Sequence, residues 1–156
     1  MYGSDLYIYP KNSPMLDFLL RTDNSKTTIL IRLMVGAVFL SEGIQKFLFP
    51  AVRGSGRFAK IGLPNPEFLG SFVGTFEILS GLLILLGLFT RLAALPTLVI
   101  MVVAIATTKS VVLQEQGFWE MMHGSRTDWS MLLGSLFLIF RGGGYASIDR
   151  RLSGRR

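Results

Sequence analysis

Four long apolar blocks, separated by short polar segments, constrain this chain more than any other feature. They cover residues 28–49, 68–89, 92–108 and 129–140 of a chain of 156 residues. A helix needs about 20 apolar residues to cross the ~30 Å hydrocarbon core of a bilayer. The blocks therefore predict an all-α integral membrane protein, a four-helix transmembrane bundle, rather than a soluble domain.

Two of the blocks need their flanks to reach spanning length. The third spans if its helix continues through Lys109 to Leu113, which places the lysine near an interface where its long stem can snorkel. The fourth is the shortest and needs Asp128 and residues 141–145, or locally thinned lipid, to cross.

A short segment joins helices one and two. Pro50 ends helix one because proline cannot continue it. The basic and apolar run 57–61 suits a short helix lying in the membrane surface, with Phe58 and Ile61 buried. A solvated loop fits the same residues equally well.

The chain divides into an arm, a membrane domain and a tail. Residues 1–26 lack the basic start and apolar core of a cleavable signal peptide, and we predict a mobile or interfacial arm. Residues 27–150 form the membrane domain. Residues 151–156 are a basic tail.

The net charge of +6 indicates membrane lipids, not nucleic acid, as partners, because the basic residues flank apolar helices and form no stripe interleaved with aromatic residues. With four spans both termini lie on one face, here called side A, and the opposite face is side B. The predicted topology puts ten lysines and arginines on side A and six on side B. This bias predicts cytoplasmic termini.

Cysteine is absent and His123 is the one histidine of the sequence. The chain therefore has no ligands for an iron–sulfur cluster, no disulfide exchange and no pair of histidines for a haem or a copper site. We expect no covalently bound cofactor, and any electron carrier must be borrowed. The spacing of His123 from neighbouring acids matches no metal motif, so no metal site is predicted.

Small residues mark one face of helix two. Gly70, Gly74 and Gly81 fall three or four residues apart on the face that also carries Glu77. Helices two and three form a tight hairpin, so we expect this face to meet helix three closely. Glu77 then points at protein and away from lipid.

Glu77 is the most costly residue of the apolar blocks, since an acid at a helix centre costs roughly 2.5–3.5 kcal/mol on insertion scales. Counting at about 1.5 Å per residue puts Glu77 roughly 14 Å, Glu42 roughly 10 Å and Lys46 roughly 5 Å from the side-B end. Glu42 and Lys46 have the spacing of an intrahelical ion pair. Lys46 or Lys109 is the expected partner of Glu77. Arg32, near side A, is expected to snorkel.

The pattern resembles the DoxX family of small bacterial and archaeal four-helix membrane proteins. The resemblance rests on ordered motifs at residues 32–36, 43–47, 58, 62–64, 77–81, 86–94 and 142–149. It implies a prokaryotic cell-membrane protein, a subunit linked to quinol oxidase, thiosulfate–quinone electron transfer or oxidative-stress complexes. It also implies that Lys46, Glu77 and Arg91 lie closest to function. Glu42 and Lys109 stand where relatives place histidines, which argues against histidine-dependent chemistry here.

Three functions fit these residues. The first is a quinone-interacting subunit of a membrane redox complex, an oxidoreductase component if it is catalytic, with Glu77, Glu42, Lys46 and Lys109 around the quinone headgroup. The second is a non-catalytic assembly protein in which the polar cluster fastens helices, within a complex or a homo-oligomer. The third is a binder or transporter of a small hydrophobic molecule. Arg32, Arg91 and His123 are secondary candidates.

Overall fold

The computed structural model describes residues 14–153, and every regular element within them is helical. The helices are α1 (Pro14–Leu20), α2 (Thr28–Leu48), α3 (Pro50–Arg53), α4 (Ser55–Lys60), α5 (Pro66–Leu86), α6 (Thr90–Ala104), a π-helical segment (Ile105–Lys109), α7 (Ser110–Gln116), α8 (Phe118–Gly124), α9 (Arg126–Arg141) and α10 (Ile148–Leu152). The all-α prediction is confirmed.

Three helices of the described part are long and apolar enough to cross a bilayer. They are α2, α5 and the continuous helix Thr90–Gln116, which comprises α6, the π-helical segment and α7. The third helix therefore does continue through Lys109. Helix α9 packs against α2 and α6, but its 16 residues rise only about 24 Å. Three spans agree with the prediction, and the fourth stays a prediction.

The long helices alternate in direction, and their apolar core lies toward side A. Helix α2 contacts α5 and α9, while α6 contacts the same two helices from the other side. Val35, Phe39, Ile84 and Leu138 are buried in the core. Phe39 and Met131 mark its limit toward side B, where the packed core gives way to a cavity.

The glycine face of α5 packs against α2, so the expectation that it meets helix three is wrong. A Cβ on Gly81 would lie 2.5 Å from the backbone nitrogen of Leu40, and one on Gly43 would lie 2.7 Å from the carbonyl oxygen of Gly74. Small residues allow two membrane helices to approach this closely. The tight turn between α5 and α6 joins these two helices without a glycine contact. Between α2 and α5, glycines on both helices allow the close packing.

The segment between α2 and α5 is helical and folds back over the cavity. Helix α2 ends just before Pro50, and α4 packs against α5. A Cβ on Gly70 would lie 2.8 Å from the nitrogen of Ser55, so the start of α4 rests on the α5 backbone. Phe58 and Ile61 line the cavity beneath it, although Ile61 remains 37% exposed.

The described part of the N-terminal arm is docked on side A. Helix α1 contacts α6 and α10, and Asp23 forms an ion pair with Arg141 at 2.6 Å. The rest of the arm, residues 1–13, lies outside the described residues. At the other end of the chain, the Ser147 hydroxyl accepts a hydrogen bond from the Arg150 nitrogen and caps α10.

Candidate functional site

An ion pair between α2 and α5 forms the centre of the site. The ammonium of Lys46 lies 2.6 Å from Oε2 of Glu77, and the two side chains are 10% and 3% exposed. Lys46 is in the last turn of α2, whereas Glu77 is in the middle of α5. A Cβ on Gly74 would lie 3.3 Å from the Cβ of Lys46, so this glycine makes room for the lysine stem.

Lys46 is therefore the partner that Glu77 needs. The alternative, in which Lys46 simply neutralises Glu42 on its own helix, is not what the structure contains: none of the ion pairs between described residues includes Glu42. Glu42 instead lines the same cavity as the pair. The side chains of Glu42 and Arg57 are close enough to the Glu77 carboxylate to interact with it electrostatically.

A cavity of about 500 Å³ lies between the side-B halves of the long helices. Its volume is within the range of small-molecule sites. Apolar side chains form most of its wall: Val38, Phe39, Phe58, Ile61, Leu63, Leu69, Phe72, Val73, Val99, Ile100, Met101, Val103, Ala104 and Met131. Its polar lining consists of Glu42, Lys46, Arg53, Arg57, Glu77, Thr107, Thr108, Thr127 and Asp128.

The charges of this lining balance. Three side chains are acidic, Glu42, Glu77 and Asp128, and three are basic, Lys46, Arg53 and Arg57. The cavity thus combines a largely apolar wall with equal numbers of acidic and basic side chains, and its formal charge is zero. Such a site suits a neutral ligand that has polar oxygens on an apolar body.

The π-helical segment borders the cavity through Thr107 and Thr108. Both hydroxyls donate to carbonyls one turn back, to Val103 at 2.7 Å and to Ala104 at 2.6 Å. Hydroxyl groups that bond backward in this way bend helices, and π-helical turns occur often at functional sites. Sequence reasoning missed these threonines; the signal was a run of hydroxyl residues in an apolar helix.

Lys109 does not join the cluster around Glu77. Its ammonium lies 3.2 Å from Oδ2 of Asp128 and donates to the carbonyl of Gly124 at 2.8 Å. The extra residue of the π-helical turn shifts the positions that follow it around the helix. Lys109 thereby fastens the side-B end of the third helix to the start of α9.

Arg32 is buried, so the expectation that it snorkels is wrong. It is 6% exposed, and its Nε donates to the carbonyl of Ile84 at 3.0 Å and its Nη2 to that of Leu85 at 2.7 Å. Its Nη1 donates to Gly143 at 3.0 Å and to Tyr145 at 3.3 Å. The guanidinium thus binds carbonyls of the last turn of α5 and of the C-terminal glycine segment.

Asp149 closes the same end of the molecule. Its carboxylate accepts from the backbone nitrogens of Phe89 at 2.6 Å and Thr90 at 2.9 Å, at the start of α6. Its own nitrogen donates to the carbonyl of Gly87 at 2.8 Å. Gly87 has a φ of +67°, and a Cβ there would lie 2.8 Å from the Arg32 guanidinium, so glycine suits this turn in two ways.

The side chain of Arg91 also makes contacts that join helices on side A. Its Nε donates to the carbonyl of Arg21 and its Nη2 to that of Phe140, both at 2.8 Å. The guanidinium also lies 5.2 Å from the centre of the Phe18 ring. Arg91 therefore fastens α1 and the end of α9 to the start of α6 on side A, whereas the cavity lies between the side-B halves of the helices.

His123 lies in α8, exposed, and its carbonyl accepts from Arg126 at 2.6 Å. It does not line the cavity. Within residues 14–153, no three histidine, cysteine, aspartate or glutamate side chains are grouped as metal ligands would be.

Comparison with known proteins links this architecture to one family. The DoxX family model matches residues 27–110. The chain is 50% identical over 149 residues to the uncharacterized membrane protein Rv3486 of Mycobacterium tuberculosis, covering 92% of this chain and 91% of that protein. It is 28% identical over 123 residues to CatD of Bacillus subtilis, which carries a provisional oxidoreductase name, covering 78% and 84%. No solved structure matches significantly.

Proposed function

Because this chain belongs to the DoxX family of membrane proteins, we propose that it binds a quinone or quinol in the cavity and acts as a subunit of a membrane redox complex. The observation that carries the proposal is the Lys46–Glu77 ion pair on the wall of a cavity of about 500 Å³. An ion pair that only fastened helices would not need an adjoining space for a ligand.

A quinone headgroup fits the chemistry of this lining. It is a neutral, flat ring with oxygens at opposite ends, and Phe39, Phe58 and Phe72 offer aromatic faces against which such a ring packs. Lys46 would donate a hydrogen bond to one oxygen. Glu77 would accept a hydrogen bond from the hydroxyl of the reduced form.

The residues of this chain would exchange protons with the quinone, and a partner subunit would transfer the electrons. When bound, the quinone supplies a redox couple that exchanges two electrons and two protons. Glu77 and Glu42 are carboxylates able to hold and release a proton beside it. The sequence has no cysteine and one histidine, so the electron carrier would belong to another subunit. The name of CatD is consistent with a redox role in this family.

The sharpest test removes both charges together. Replacing a buried ion pair by apolar residues of similar size is often neutral for stability, so the double variant Lys46→Met/Glu77→Leu should fold. The full chain is purified into lipid nanodiscs, incubated with menaquinone or ubiquinone, and its bound quinone is extracted and quantified by mass spectrometry. We expect the wild type to retain quinone and the folded double variant to retain at least about tenfold less.

Lys60→Met is the matched control, because this lysine also lies near side B but is exposed and does not line the cavity. It should bind quinone as the wild type does. A wild-type protein that retains neither quinone contradicts the proposal, as does a folded double variant that binds quinone normally.

The assembly function rests on a specific observation, since the Lys46–Glu77 pair does join α2 to α5. It predicts that the double variant, once folded, recovers its protein partners and supports quinone-linked respiration normally. Loss of respiration by a variant that accumulates and assembles like the wild type rules this function out.

Binding of apolar amines but no quinone in the same nanodisc assay favours the small-molecule function instead.

A further inference from the structure

The cavity has an edge that lies at membrane depth and is open to lipid. Three apolar side chains of the lining are strongly exposed: Phe72 at 48%, Val99 at 59% and Val103 at 47%. Phe72 lies on α5, and the two valines lie on α6. Exposure of lining residues on both helices indicates a gap between the side-B halves of α5 and α6.

The position of this gap along the helices places it within the hydrocarbon layer. Val99 is about 14 Å along the axis from Thr90, where the third helix begins on side A, and Phe72 is about 9 Å from Pro66 at the opposite end of α5. Leu95 and Val102, on the same face of α6 as Val99, are 45% and 50% exposed. This face therefore contacts lipid, and Val99 is at once part of it and part of the cavity wall.

The hairpin has a physical reason to separate at this end. On side A, Arg32 and Asp149 bind the ends of α5 and α6 and hold the turn closed. Toward side B, α5 is drawn to α2 by the glycine contacts and the Lys46–Glu77 pair. The third helix is drawn to α9 by the Lys109–Asp128 pair. The two helices thus diverge from a fixed turn.

From this geometry, and resting on the proposed function, we propose that the gap edged by Phe72, Val99 and Val103 is a lateral portal for a quinone with a long isoprenoid tail. The headgroup enters from the bilayer and reaches Lys46 and Glu77, while the tail stays in lipid. A cavity of about 500 Å³ accommodates a ring and the first part of a tail, not a tail of many isoprene units. The substrate class is therefore a lipid-tailed quinone.

The polar end of the cavity would admit small molecules. Arg53, Arg57, Thr127 and Asp128 form the part of the lining near side B, and both arginines are exposed. A quinone without a tail can reach the site through this polar end. A tailed quinone cannot, because its tail would have to leave the hydrocarbon layer and expose its apolar surface to water.

The test compares two probes with the same ring, menaquinone and its tail-less counterpart menadione, in nanodiscs of the full chain. Val99→Trp fills the portal, and Leu95→Trp places the same side chain one turn away on the lipid-facing surface of α6. Because Val99 is also part of the cavity wall, we expect Val99→Trp to reduce retained menaquinone at least about tenfold and retained menadione less than about threefold. Leu95→Trp should change neither. Equal loss of both probes, or loss of neither, overturns the portal.

A labelling experiment covers the case in which Val99→Trp does not fold. The sequence contains no cysteine, so Val99→Cys and Leu95→Cys each carry a single thiol for a lipid-soluble maleimide. Menaquinone should slow labelling at Val99→Cys at least about threefold and leave Leu95→Cys unaffected. Equal labelling with and without menaquinone overturns the portal if the protein still retains menaquinone. Failure of the wild type to retain either probe instead overturns the proposed function.

Discussion

The two ends of the bundle treat buried charge in opposite ways. At side A, the Arg32 guanidinium and the Asp149 carboxylate are bound on every side by backbone groups of three chain segments. At side B, Lys46 and Glu77 bind each other and border a cavity. Buried charges that are fully satisfied by the backbone are structural, whereas buried charges beside open space are available to a ligand.

The contrast also explains why charge alone does not identify a site in this protein. Arg91 belongs to the motif residues that the family resemblance puts closest to function, yet its guanidinium is held by two carbonyls and an aromatic ring. Side A reads as the fixed end of the molecule. Side B has the cavity, the π-helical segment and the diverging helices.

The largest expected effect is the loss of stability when Arg32, on side A, is replaced. Arg32→Met leaves four carbonyls without the guanidinium, and we expect a loss of about 3–5 kcal/mol in the free energy of unfolding. Unfolding in mixed micelles by SDS titration, followed by circular dichroism, measures it. Arg32→Lys should recover only part, because an ammonium lacks the planar fork. A loss below about 1 kcal/mol for Arg32→Met would show that these bonds are not the main fastening of side A.

The next effect lies in the ion pair at side B. Glu77→Leu alone leaves the Lys46 ammonium without its carboxylate, and we expect a cost of about 2–3 kcal/mol. Adding Lys46→Met should bring stability back to within about 1 kcal/mol of the wild type. The same SDS titration measures both. If the double variant is less stable than Glu77→Leu, the pair is a structural fastening like those of side A.

A smaller loss is expected at the start of α6. Asp149→Ala removes the carboxylate that accepts from Phe89 and Thr90, and we expect a cost of about 1–2 kcal/mol, as for other helix caps. Asp149→Asn keeps an acceptor and should lose less. Hydrogen exchange of the first amides of α6, followed by mass spectrometry, should show faster exchange in Asp149→Ala. Unchanged exchange there contradicts the capping role.

The smallest effect concerns the partly exposed pair at side B. Lys109 and Asp128 are 18% and 23% exposed, and exposed pairs contribute about 0.2–1 kcal/mol. Lys109→Met should therefore lower the free energy of unfolding by no more than about 1 kcal/mol. Double-mutant analysis with Asp128→Asn isolates the interaction. A coupling of about 2 kcal/mol or more, well above the range of exposed pairs, would make this contact comparable to Lys46–Glu77.

Much of the fold follows from local sequence, because hydrophobic length and proline position act along one helix. The spans of α2, α5 and the third helix, the end of helix one before Pro50 and the cap at Ser147 are of this kind. Counting depth also paired Lys46 with Glu77 as one of two options. Helical rise is regular enough to place both residues in the side-B half, and the long lysine side chain spans the remaining difference in height.

The errors arise where distant segments meet. Arg32 was expected to reach lipid headgroups because nothing local shows that residues 143–145 fold back over it. Lys109 was expected near Glu77 because a π-helical turn cannot be foreseen from helical periodicity. The cavity depends on how four elements diverge, and no residue pattern along one helix records that divergence.

The contacts of Arg32 have a consequence for the order in which the protein is made. Its helix leaves the ribosome before its partner Gly143, which follows 111 residues later. At typical synthesis rates of about 5–20 residues per second, that interval is on the order of ten seconds. During the first part of this interval none of the partners of Arg32 exists, and during the rest only the carbonyls of Ile84 and Leu85 do. A truncated chain that stops before the glycine segment should therefore be a poor client for membrane insertion and a ready substrate for quality-control proteases.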